Sequence, residues 1–276
     1  MNSTTTPLVS VLMTAYNREK YIAEAIESVL ASSYTNFELI ITDDGSGDNT
    51  VAIAKKYEAA DTRVKLYINE TNLGDYPNRN KAASYAKGKY LKYVDADDML
   101  YDYGLAVMVS FTERFPEAGF GLGAYPDDDR PFPVLISPKE IYLESFGKIN
   151  HFDRAPGSGL IKREAFNAVG GFSGKRMIGD YEFWFKIART YSMVKLPLDL
   201  YWNRIHEGQE SQTEYARKNY ATLRRAVLLE ALQNPACPLN EIEIREVLNK
   251  ARQTSRRDRQ LATLSKIKKL MSGRLG

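Results

Sequence analysis

The first hundred residues of the chain alternate between short apolar runs and stretches of helical periodicity. The apolar runs are typical of strands buried on both faces of a sheet, and they span 8–14, 37–42, 64–68 and 90–94. Between them, apolar side chains recur at spacings of three and four residues, as in helices packed on a sheet. Strands joined through helices lie parallel in one sheet. The alternation therefore predicts an α/β fold with a mostly parallel central sheet flanked by helices.

Polar residues follow three of these predicted strands at the point where each strand ends. Thr14-Ala15-Tyr16-Asn17 follows the first strand, Asp43-Asp44 the second and Asp95-Ala96-Asp97-Asp98 the last, and Asn17 can also cap the next helix. In open α/β sheets, ligands bind outside the carboxyl ends of the strands. Because parallel strands point these ends the same way, we expect the three loops to share one edge and to form one site.

Residues 95–98 bring three carboxylates together within four positions. Carboxylate oxygens are preferred ligands of hard divalent cations such as Mg²⁺ or Mn²⁺. The alternative is a solvated acidic turn, since Asp is a common turn residue. Convergence with the other loops favours a site for a nucleotide diphosphate, in which Tyr16 stacks on the base and Asp44 accepts hydrogen bonds from base or ribose. Packing is the alternative for Tyr16, and a turn or helix cap is the alternative for Asp43.

Composition restricts the class of protein. The chain has 276 residues, 43% of them hydrophobic, which is ample for a buried core. No apolar run approaches the ~18 residues needed to cross a bilayer, and the N-terminus lacks the pattern of a secretory signal. The single cysteine, Cys237, excludes an internal disulfide and a cysteine cage for zinc. These features predict a cytoplasmic protein.

Several short motifs follow one another along the first half of the chain, at residues 9–17, 43–46, 72–74, 86–90 and 95–98. In that order and at those intervals, they resemble the nucleotide-binding half of the inverting glycosyltransferases of family 2, whose fold is called GT-A. The resemblance is close over the first hundred residues and looser up to about residue 210. It implies a Rossmann-like sheet with a nucleotide-sugar-binding half at 1–100 and an acceptor-binding half at 101–212.

The resemblance assigns a nucleotide-binding set. Thr14, Tyr16 and Asp44 match positions that hold the base and ribose of a nucleotide sugar, whereas Asn72 and Arg79 lie in the segment that helps to close over the nucleotide. Together with neighbouring positions, the predicted nucleotide-binding residues are Thr14, Ala15, Tyr16, Asn17, Asp43, Asp44, Asn72, Arg79, Asp95 and Ala96.

The same resemblance assigns a site for Mn²⁺ or Mg²⁺. Asp95 matches the first carboxylate of the family's D-x-D motif, which usually faces the ribose. Asp97 and Asp98 match the carboxylates nearest the metal, without deciding which one ligates it. His206 lies in a segment similar to one in which a family histidine is near the diphosphate or the metal, and a structural histidine is the alternative. The predicted metal ligands are Asp97, Asp98 and His206.

Asp180 is the predicted catalytic residue. Residues 155–172 resemble the family stretch that leads to a helix with a Glu-Asp pair, whose Asp is the general base. Here the pair is Gly179-Asp180, so one acid is missing, and Glu182 is the reserve candidate. A helix N-terminus is expected to lower the pKa of Asp180. The resemblance implies that the base is ionised while an acceptor hydroxyl attacks opposite the leaving diphosphate, with inversion.

Beyond residue 100 the pattern is less informative. A helix is expected over 101–115 and short strands over 119–137. Asp127-Asp128-Asp129 is a second acidic cluster, but the prolines on both sides indicate an exposed loop and not a metal site. A C-terminal helical extension is expected over 213–276.

The C-terminal extension ends in a basic tail. Helices are expected at 215–233 and 239–253, while residues 250–276 carry nine Lys/Arg and one acid, against a net charge of −5 for the rest of the chain. A basic amphipathic segment at 255–275 can lie peripherally on the inner face of a membrane, or pack on the body or on a partner subunit. Nucleic acid is not an expected partner, because no aromatic residue follows Tyr220 to stack on bases.

The resemblance implies a metal-dependent, inverting glycosyltransferase. Its donor is expected to be a nucleotide sugar, with UDP as the favoured nucleotide, and its acceptor a glycan or a lipid-linked sugar in bacterial surface polysaccharide or glycan synthesis. A sugar nucleotidyltransferase is the alternative enzyme, but it is expected to carry a Gly-rich loop after the first strand, where Thr14-Ala15-Tyr16-Asn17 has no glycine. An inactive nucleotide-sugar-binding scaffold is the alternative without catalysis. The sequence leaves a homo-oligomer open.

Overall fold

The computed structural model describes residues 6–127, 129–146, 150–198, 200–207, 209 and 213–249. Its first half alternates strands and helices: β1 (Val9–Ala15), α1 (Ile22–Leu30), β2 (Phe37–Asp43), α2 (Thr50–Ala60), β3 (Val64–Ile68), α3 (Asp75–Ser84) and β4 (Tyr90–Tyr93). The second half contains β5 (Met99–Leu100), α4 (Gly104–Thr112), β6 (Ala118–Gly123), β7 (Val134–Ile136), α5 (Pro138–Ser145), β8 (Gly159–Lys162), α6 (Arg163–Val169), α7 (Gly179–Ala188), β9 (Ser192–Leu196), β10 (Tyr201–Trp202), α8 (Glu214–Gln233) and α9 (241–249).

One eight-stranded sheet organises these elements, in the strand order β3-β2-β1-β4-β8-β6-β9-β7. The first four strands of the chain pair in parallel, and β6 pairs in parallel with β9. β8 and β7 run antiparallel to their neighbours, while β5 and β10 form a separate antiparallel pair. The predicted α/β fold with a mostly parallel central sheet is confirmed, and the carboxyl ends of β1, β2 and β4 lie side by side.

A layer of buried side chains covers each face of the sheet. The strands are apolar along nearly their whole length because both of their faces are buried. The layer under α1 is mainly aliphatic and includes Val11, Ile26 and Leu39, all fully buried. The layer under α3, α6 and α7 is rich in aromatic rings, with Trp184 stacked on Phe120 at 5.7 Å between ring centroids. Burial of each such side chain contributes about 1.5–3 kcal/mol. These two layers hold the strand ends, and therefore the loops that follow them, in fixed positions.

The prediction that Asn17 caps the following helix is wrong. The helix α1 begins only at Ile22, and its N-cap position is Tyr21, whose side chain makes no capping bond. Asn17 has a φ of 52° and turns the chain, while its Oδ1 accepts a hydrogen bond from the backbone N–H of Gly47 at 2.9 Å. Because four residues separate Asn17 from α1, its side chain does not reach the first turn.

The loop of the second acidic cluster is largely exposed as expected, with the Asp129 side chain 83% exposed, but the side chain of Asp127 is 13% exposed and lies against a lysine. Lys195, itself fully buried, donates to Asp127 Oδ1 at 2.6 Å and lies 3.1 Å from Glu144. His151 Nε2 lies 2.7 Å from the same Glu144 carboxylate, and Arg130 pairs with Asp127 at 2.9 Å. Since Lys195 and Arg130 already offset the charge of Asp127, these contacts support a structural role for it.

The C-terminal extension is helical up to residue 249, and α8 packs against α7. Arg224 lies over the ring of Tyr181 at 4.8 Å and pairs with Asp153 at 3.1 Å, which ties α8 to the second half of the sheet domain. The basic segment predicted at 255–275 lies outside the described residues. Of the helices within the described ranges, none combines the length and apolarity that crossing a membrane requires.

Candidate functional site

A cavity of about 720 Å³ opens at the edge of the sheet where β1, β2 and β4 end. Asn17 and His206 line a neighbouring cavity of about 530 Å³, and Arg18 lines both. The three loops therefore meet as the parallel sheet predicts, while the roles of their residues stay predictions. The predicted site residues that line the larger cavity are Thr14, Ala15, Tyr16, Asp44, Asn72, Arg79, Asp95 and Asp97.

One wall of the cavity combines an exposed ring with a buried carboxylate. Asp44 accepts hydrogen bonds from Asn69 Nδ2 at 2.8 Å and from the backbone N–H groups of Leu73 at 2.8 Å and Gly74 at 2.9 Å. A carboxylate has about four acceptor positions, so Asp44 keeps room for one further donor. Tyr16 is 47% exposed. This pairing suits a flat base and the hydroxyls of its ribose.

Two of the predicted nucleotide contacts are turned to the protein interior. Asp43 Oδ1 accepts hydrogen bonds from the backbone N–H groups of Gly45 at 3.1 Å and Ser46 at 2.9 Å. Asp43 does not line the larger cavity. Ala96 is buried. These contacts support the turn interpretation of Asp43, and its part in nucleotide binding stays a prediction.

Asp95, Asp97 and Asp98 each bring one carboxylate oxygen into a group whose members lie within 4.8 Å of one another. A tight turn after β4 produces this arrangement, since the backbone N–H of Asp98 donates to the carbonyl of Asp95 at 2.9 Å. Three like charges at such spacing repel one another unless donors or cations offset them. The three carboxylates meet this requirement in different ways.

Asp95 is held by a guanidinium fork. Arg79 donates from Nη1 to Oδ1 at 2.6 Å and from Nη2 to Oδ2 at 2.9 Å, and its Nε donates to Asp75 at 2.8 Å. Such two-pronged pairs fix the carboxylate plane as well as its charge. Arg79 is 7% exposed, so α3 holds Asp95 rigidly at the cavity wall.

Asp97 carries two cationic or polar neighbours from distant parts of the chain. Arg18 Nε donates to Asp97 Oδ2 at 2.8 Å, and His206 Nε2 lies 3.0 Å from the same oxygen. The ring of His206 also packs on Tyr21 at 4.9 Å. His206 therefore lies beside Asp97, as a ligand of the same ion would, although a hydrogen-bonded structural role fits the same distance.

Asp98 is held by neutral donors and is almost fully buried. Asn203 Nδ2 donates to its carboxylate at 3.0 and 3.2 Å, and the backbone N–H of Arg204 donates at 3.0 Å. Burial, together with the nearby charge of Asp95, raises the pKa of Asp98 well above its ordinary value. Asp98 therefore anchors the segment that carries His206 to the end of β4.

The side chains grouped around Asp97 fit a hard divalent cation. They offer carboxylate oxygens from Asp95, Asp97 and Asp98, with an imidazole nitrogen next to them, which is the chemistry that Mg²⁺ and Mn²⁺ accept. The guanidinium of Arg18 pairs with Asp97 at 2.8 Å and offsets its negative charge, as a bound cation would. Asp97 and Asp98 would hold the ion, with Asp95 and His206 at its sides.

Arg18→Gln is expected to tighten Mn²⁺ binding in the absence of nucleotide by about two- to fivefold. The guanidinium competes with an ion for Asp97, and a partly exposed ion pair of this kind is worth up to about 1 kcal/mol. Titration calorimetry with MnCl₂ measures the change. Arg63→Gln is the matched control, since Arg63 pairs with Asp61 at 2.7 Å with similar exposure. Equal or weaker Mn²⁺ binding by Arg18→Gln would contradict the competition.

Asp180 lies in the first turn of α7, after the N-cap residue Ile178. The expectation that the helix terminus lowers its pKa is wrong, because burial has the larger effect and raises the pKa of Asp180 to about 6. The backbone N–H of Tyr181 donates to Asp180 Oδ1 at 2.7 Å and offsets part of this shift. A carboxylate near this value is ionised at neutral pH and is a stronger base than an ordinary aspartate.

The reserve candidate, Glu182, is engaged elsewhere. Lys175 Nζ pairs with its Oε1 at 2.9 Å, and the hydroxyl of Ser173 donates to its Oε2. The position before Asp180 holds a glycine because the ring of Tyr76 fills the space in which a side chain would lie. These contacts favour Asp180 over Glu182 as the base.

Sequence reasoning missed several residues of the site. Arg18, Tyr76 and Asn203 contact the predicted residues or line the cavity, and so do Arg176 and Met177 from the segment before α7. Arg18 directly follows Tyr16-Asn17, and a cation next to that motif is a usable signal. Tyr76 and Asn203 carry no local signal, since their partners lie more than a hundred residues away along the chain.

Comparison with known proteins gives a consistent result. The chain matches the family described as Glycosyl transferase family 2 over residues 10–170, which is more than half of its length. It is 44% identical over 109 residues to the putative glycosyltransferase EpsE of Bacillus subtilis, a match covering 39% of each chain. It is 27% identical to glycosyltransferase GlyG of Streptococcus pneumoniae, covering 75% of this chain and 74% of GlyG.

One further relative has a more detailed name. The chain is 41% identical over 103 residues to the UDP-Glc:alpha-D-GlcNAc-diphosphoundecaprenol beta-1,3-glucosyltransferase WfgD of Escherichia coli. This match covers 37% of the chain and 40% of WfgD. The chain thus spans well under half of the length of EpsE and of WfgD.

Solved structures share the fold. TarS of S. aureus in complex with UDP-GlcNAc superposes with a TM-score of 0.65 at 22% identity, over 87% of this chain and 70% of TarS. The mannosyltransferase PcManGT of Pyrobaculum calidifontis, in complex with GDP-Man and Mn²⁺, gives 0.62 at 19% identity, over 91% and 76%. These likenesses confirm the predicted GT-A fold. The family match over residues 10–170 shows that the chain belongs to glycosyl transferase family 2.

Proposed function

We propose that the chain transfers a sugar from a UDP-sugar to a hydroxyl of a glycan or lipid-linked acceptor, with inversion and with Mn²⁺ or Mg²⁺, in bacterial surface glycan synthesis. The observation that carries the proposal is a single cavity lined by Tyr16, Asp44, Asp95 and Asp97. TarS binds UDP-GlcNAc, PcManGT binds GDP-Man and Mn²⁺, and the name of WfgD describes a lipid-linked acceptor. These names support the donor class, the ion and the acceptor class.

Different residues of the cavity bind the base, the ribose and the diphosphate of the nucleotide sugar. Tyr16 stacks on the base, and the remaining acceptor position of Asp44 and the carboxylate of Asp95 receive hydrogen bonds from the base and the ribose. Asp97 and Asp98 would hold a divalent cation, which would offset the negative charge of the diphosphate. Arg18, once it leaves Asp97, adds a guanidinium that matches phosphate geometry.

Asp180 acts as the general base. The acceptor oxygen forms a bond to the anomeric carbon on the face opposite the diphosphate, and its proton passes to a carboxylate oxygen of Asp180. The bond between the anomeric carbon and the diphosphate oxygen breaks, and its electron pair leaves with the nucleoside diphosphate. The configuration inverts in this single displacement, so the step uses no protein nucleophile.

The proposed parts of the chain follow this chemistry. Residues 1–100 hold the donor nucleotide, residues 101–212 supply Asp180 and the acceptor contacts, and residues 213–276 form the C-terminal extension. The ring of Tyr76 in α3 packs against Gly179, the residue before Asp180, and this contact supports the division.

The test is hydrolysis and transfer with a panel of nucleotide sugars in the presence of Mn²⁺ or Mg²⁺, with release of nucleoside diphosphate as the readout. Release from a UDP-sugar is expected, with loss on chelation and return when the ion is added back. Pyrophosphate formation from a nucleoside triphosphate and a sugar phosphate would instead indicate a nucleotidyltransferase. Binding of a donor without release or transfer would indicate the inactive scaffold, and failure of every donor both to bind and to react would contradict the proposal.

A further inference from the structure

The carboxyl end of β6 lies at the same edge of the sheet as the donor cavity. β6 pairs antiparallel with β8, and β8 pairs antiparallel with β4, so β6 runs parallel to β4. Tyr125, two residues after β6, is therefore at the edge that carries the acidic turn. Residues 153–158 lie at this edge too, because they lead into the start of β8. Neither Tyr125 nor Arg154 lines the donor cavity, so a ligand held there is not the nucleotide.

Arg154 and Tyr125 form a stacked pair on this edge. The guanidinium carbon of Arg154 lies 5.1 Å from the centroid of the Tyr125 ring, and Tyr125 is 55% exposed. Arg154 Nε donates to the carbonyl of Gly123 at 3.3 Å, and its Nη1 donates to the carbonyl of Asp153 at 3.4 Å. A guanidinium has five N–H donors, so three remain after these two bonds. The pair therefore fixes the plane of the guanidinium and leaves donors for a ligand.

The carboxylate next to Arg154 does not offset its charge. Asp153 is engaged by α8, where the hydroxyl of Tyr220 donates to its Oδ1 at 3.0 Å and Arg224 pairs with its Oδ2 at 3.1 Å. Among the described residues, Arg154 takes part in no ion pair. A stacked guanidinium with free donors suits an anionic ligand, because its fork matches the oxygens of a phosphate or a carboxylate.

The backbone of Arg154 is attached to the helix that carries the proposed base. The indole Nε1 of Trp184 donates to the Arg154 carbonyl at 2.8 Å, and Trp184 is fully buried and stacked on Phe120. Trp184 lies four residues after Asp180 in α7, so the two side chains share one face of the helix, about 6 Å apart along its axis. The stacked pair is therefore held at a fixed separation from Asp180.

We propose that Arg154, stacked on Tyr125, binds a phosphate group of the acceptor while the acceptor hydroxyl lies at Asp180. The inference rests on the proposed function, because it assigns the residues beyond the donor cavity to the acceptor. Phosphate is favoured over carboxylate because it presents up to three acceptor oxygens to the three remaining N–H groups, whereas a carboxylate presents two. The phosphate can belong to the diphosphate of a lipid-linked sugar or to a phosphate within a glycan, and the guanidinium recognises both by the same chemistry.

Calorimetry on the protein saturated with UDP and Mg²⁺ tests the proposal, because UDP then fills the donor cavity. The probes are farnesyl diphosphate, glucose 1-phosphate, glucuronate and methyl glucoside, which carry a lipid diphosphate, a sugar phosphate, a carboxylate and no charge. At least one phosphate probe is expected to bind. Arg154→Gln is expected to weaken that binding by about ten- to hundredfold, the effect of losing hydrogen bonds to a charged group. Tighter binding of farnesyl diphosphate would identify the lipid link as the source, and tighter binding of glucose 1-phosphate a phosphate within a glycan.

Arg114→Gln is the matched control. Arg114 also lies over an aromatic ring, with its guanidinium carbon 5.3 Å from the centroid of Phe111, but it precedes β6 and so lies at the opposite edge of the sheet. Its binding of the probes is expected to equal that of the wild type. Arg154→Lys keeps the charge without the fork, and it is expected to bind the phosphate probe more tightly than Arg154→Gln and more weakly than the wild type.

The proposal would be overturned if neither phosphate probe binds the wild type, or if Arg154→Gln binds the probes as the wild type does. Equal losses in Arg154→Gln and Arg114→Gln would overturn it as well, and tighter Arg154-dependent binding of glucuronate would overturn phosphate as the ligand. The UDP titration that precedes the probes tests the donor site by itself. A wild type that fails to bind UDP contradicts the proposed function and this assignment with it, whereas a wild type that binds UDP but no phosphate probe contradicts this assignment alone.

Discussion

Asp180→Asn is expected to lower the rate of sugar transfer by about 10²–10⁴-fold while donor binding stays as in the wild type. The amide has nearly the shape of the carboxylate but cannot take the proton of the acceptor hydroxyl, and general base catalysis contributes about this factor. Asp180 Oδ1 accepts from the backbone N–H of Tyr181 in its own helix, so loss of its charge is expected to leave the donor site in place. Single-turnover transfer and calorimetric binding of UDP separate the two effects.

Glu182→Gln decides between the two candidate bases on α7. Its carboxylate is paired with Lys175 and Ser173, so we expect transfer by this variant to stay near the wild-type rate. A large loss in Glu182→Gln together with a small loss in Asp180→Asn would contradict the assignment of the base. The pair of variants is informative because both residues lie in the first turn of the same helix.

The pH dependence of transfer follows from the same carboxyl. Burial raises the pKa of Asp180 to about 6, and only the ionised form accepts a proton. The rate is therefore expected to be full above pH 7 and to fall as the pH drops through 6, approaching about tenfold per pH unit. An ordinary aspartate would keep its activity down to about pH 4.

The sheet and the convergence of its loops could be predicted from sequence because both depend on local pattern and topology. Buried strands are apolar along their length, as 8–14 and 37–42 are, and parallel strands necessarily end at one edge. The polar residues that follow those runs, such as Tyr16, Asp44 and Asp97, therefore meet in one cavity. No side-chain detail is needed for this inference.

The pairings inside the site could not be predicted, because they depend on where distant side chains meet. Arg18 and Asp97 are 79 residues apart, and Tyr76 meets Gly179, next to Asp180, only because α3 and α7 cover the same face of the sheet. The pKa of Asp180 was wrongly predicted for the same reason. The helix terminus is visible in the sequence, whereas the side chains that bury the carboxyl come from other elements.

Asp97→Asn is expected to abolish activation by Mn²⁺ and to lower transfer by about 10²–10³-fold, the usual effect of losing a group that offsets charge in the transition state. Asp97 is chosen over Asp98 because its carboxylate lines the donor cavity. Asp98 is turned toward Asn203 and the backbone of Arg204. Mn²⁺ binding measured by calorimetry is expected to weaken with Asp97→Asn, and added Mn²⁺ is not expected to restore the rate.

Asp98→Asn is the matched variant, and it is expected to act mainly on stability. Its amide nitrogen would face the donors of Asn203 and Arg204, and a buried donor without an acceptor costs about 1–3 kcal/mol. Thermal unfolding without metal should therefore show a lower midpoint for Asp98→Asn than for Asp97→Asn. If Asp97→Asn keeps full Mn²⁺ activation and Asp98→Asn loses it, the result would instead indicate that Asp98 is the principal metal ligand. Asp97 would then serve as the ion-pair partner of Arg18.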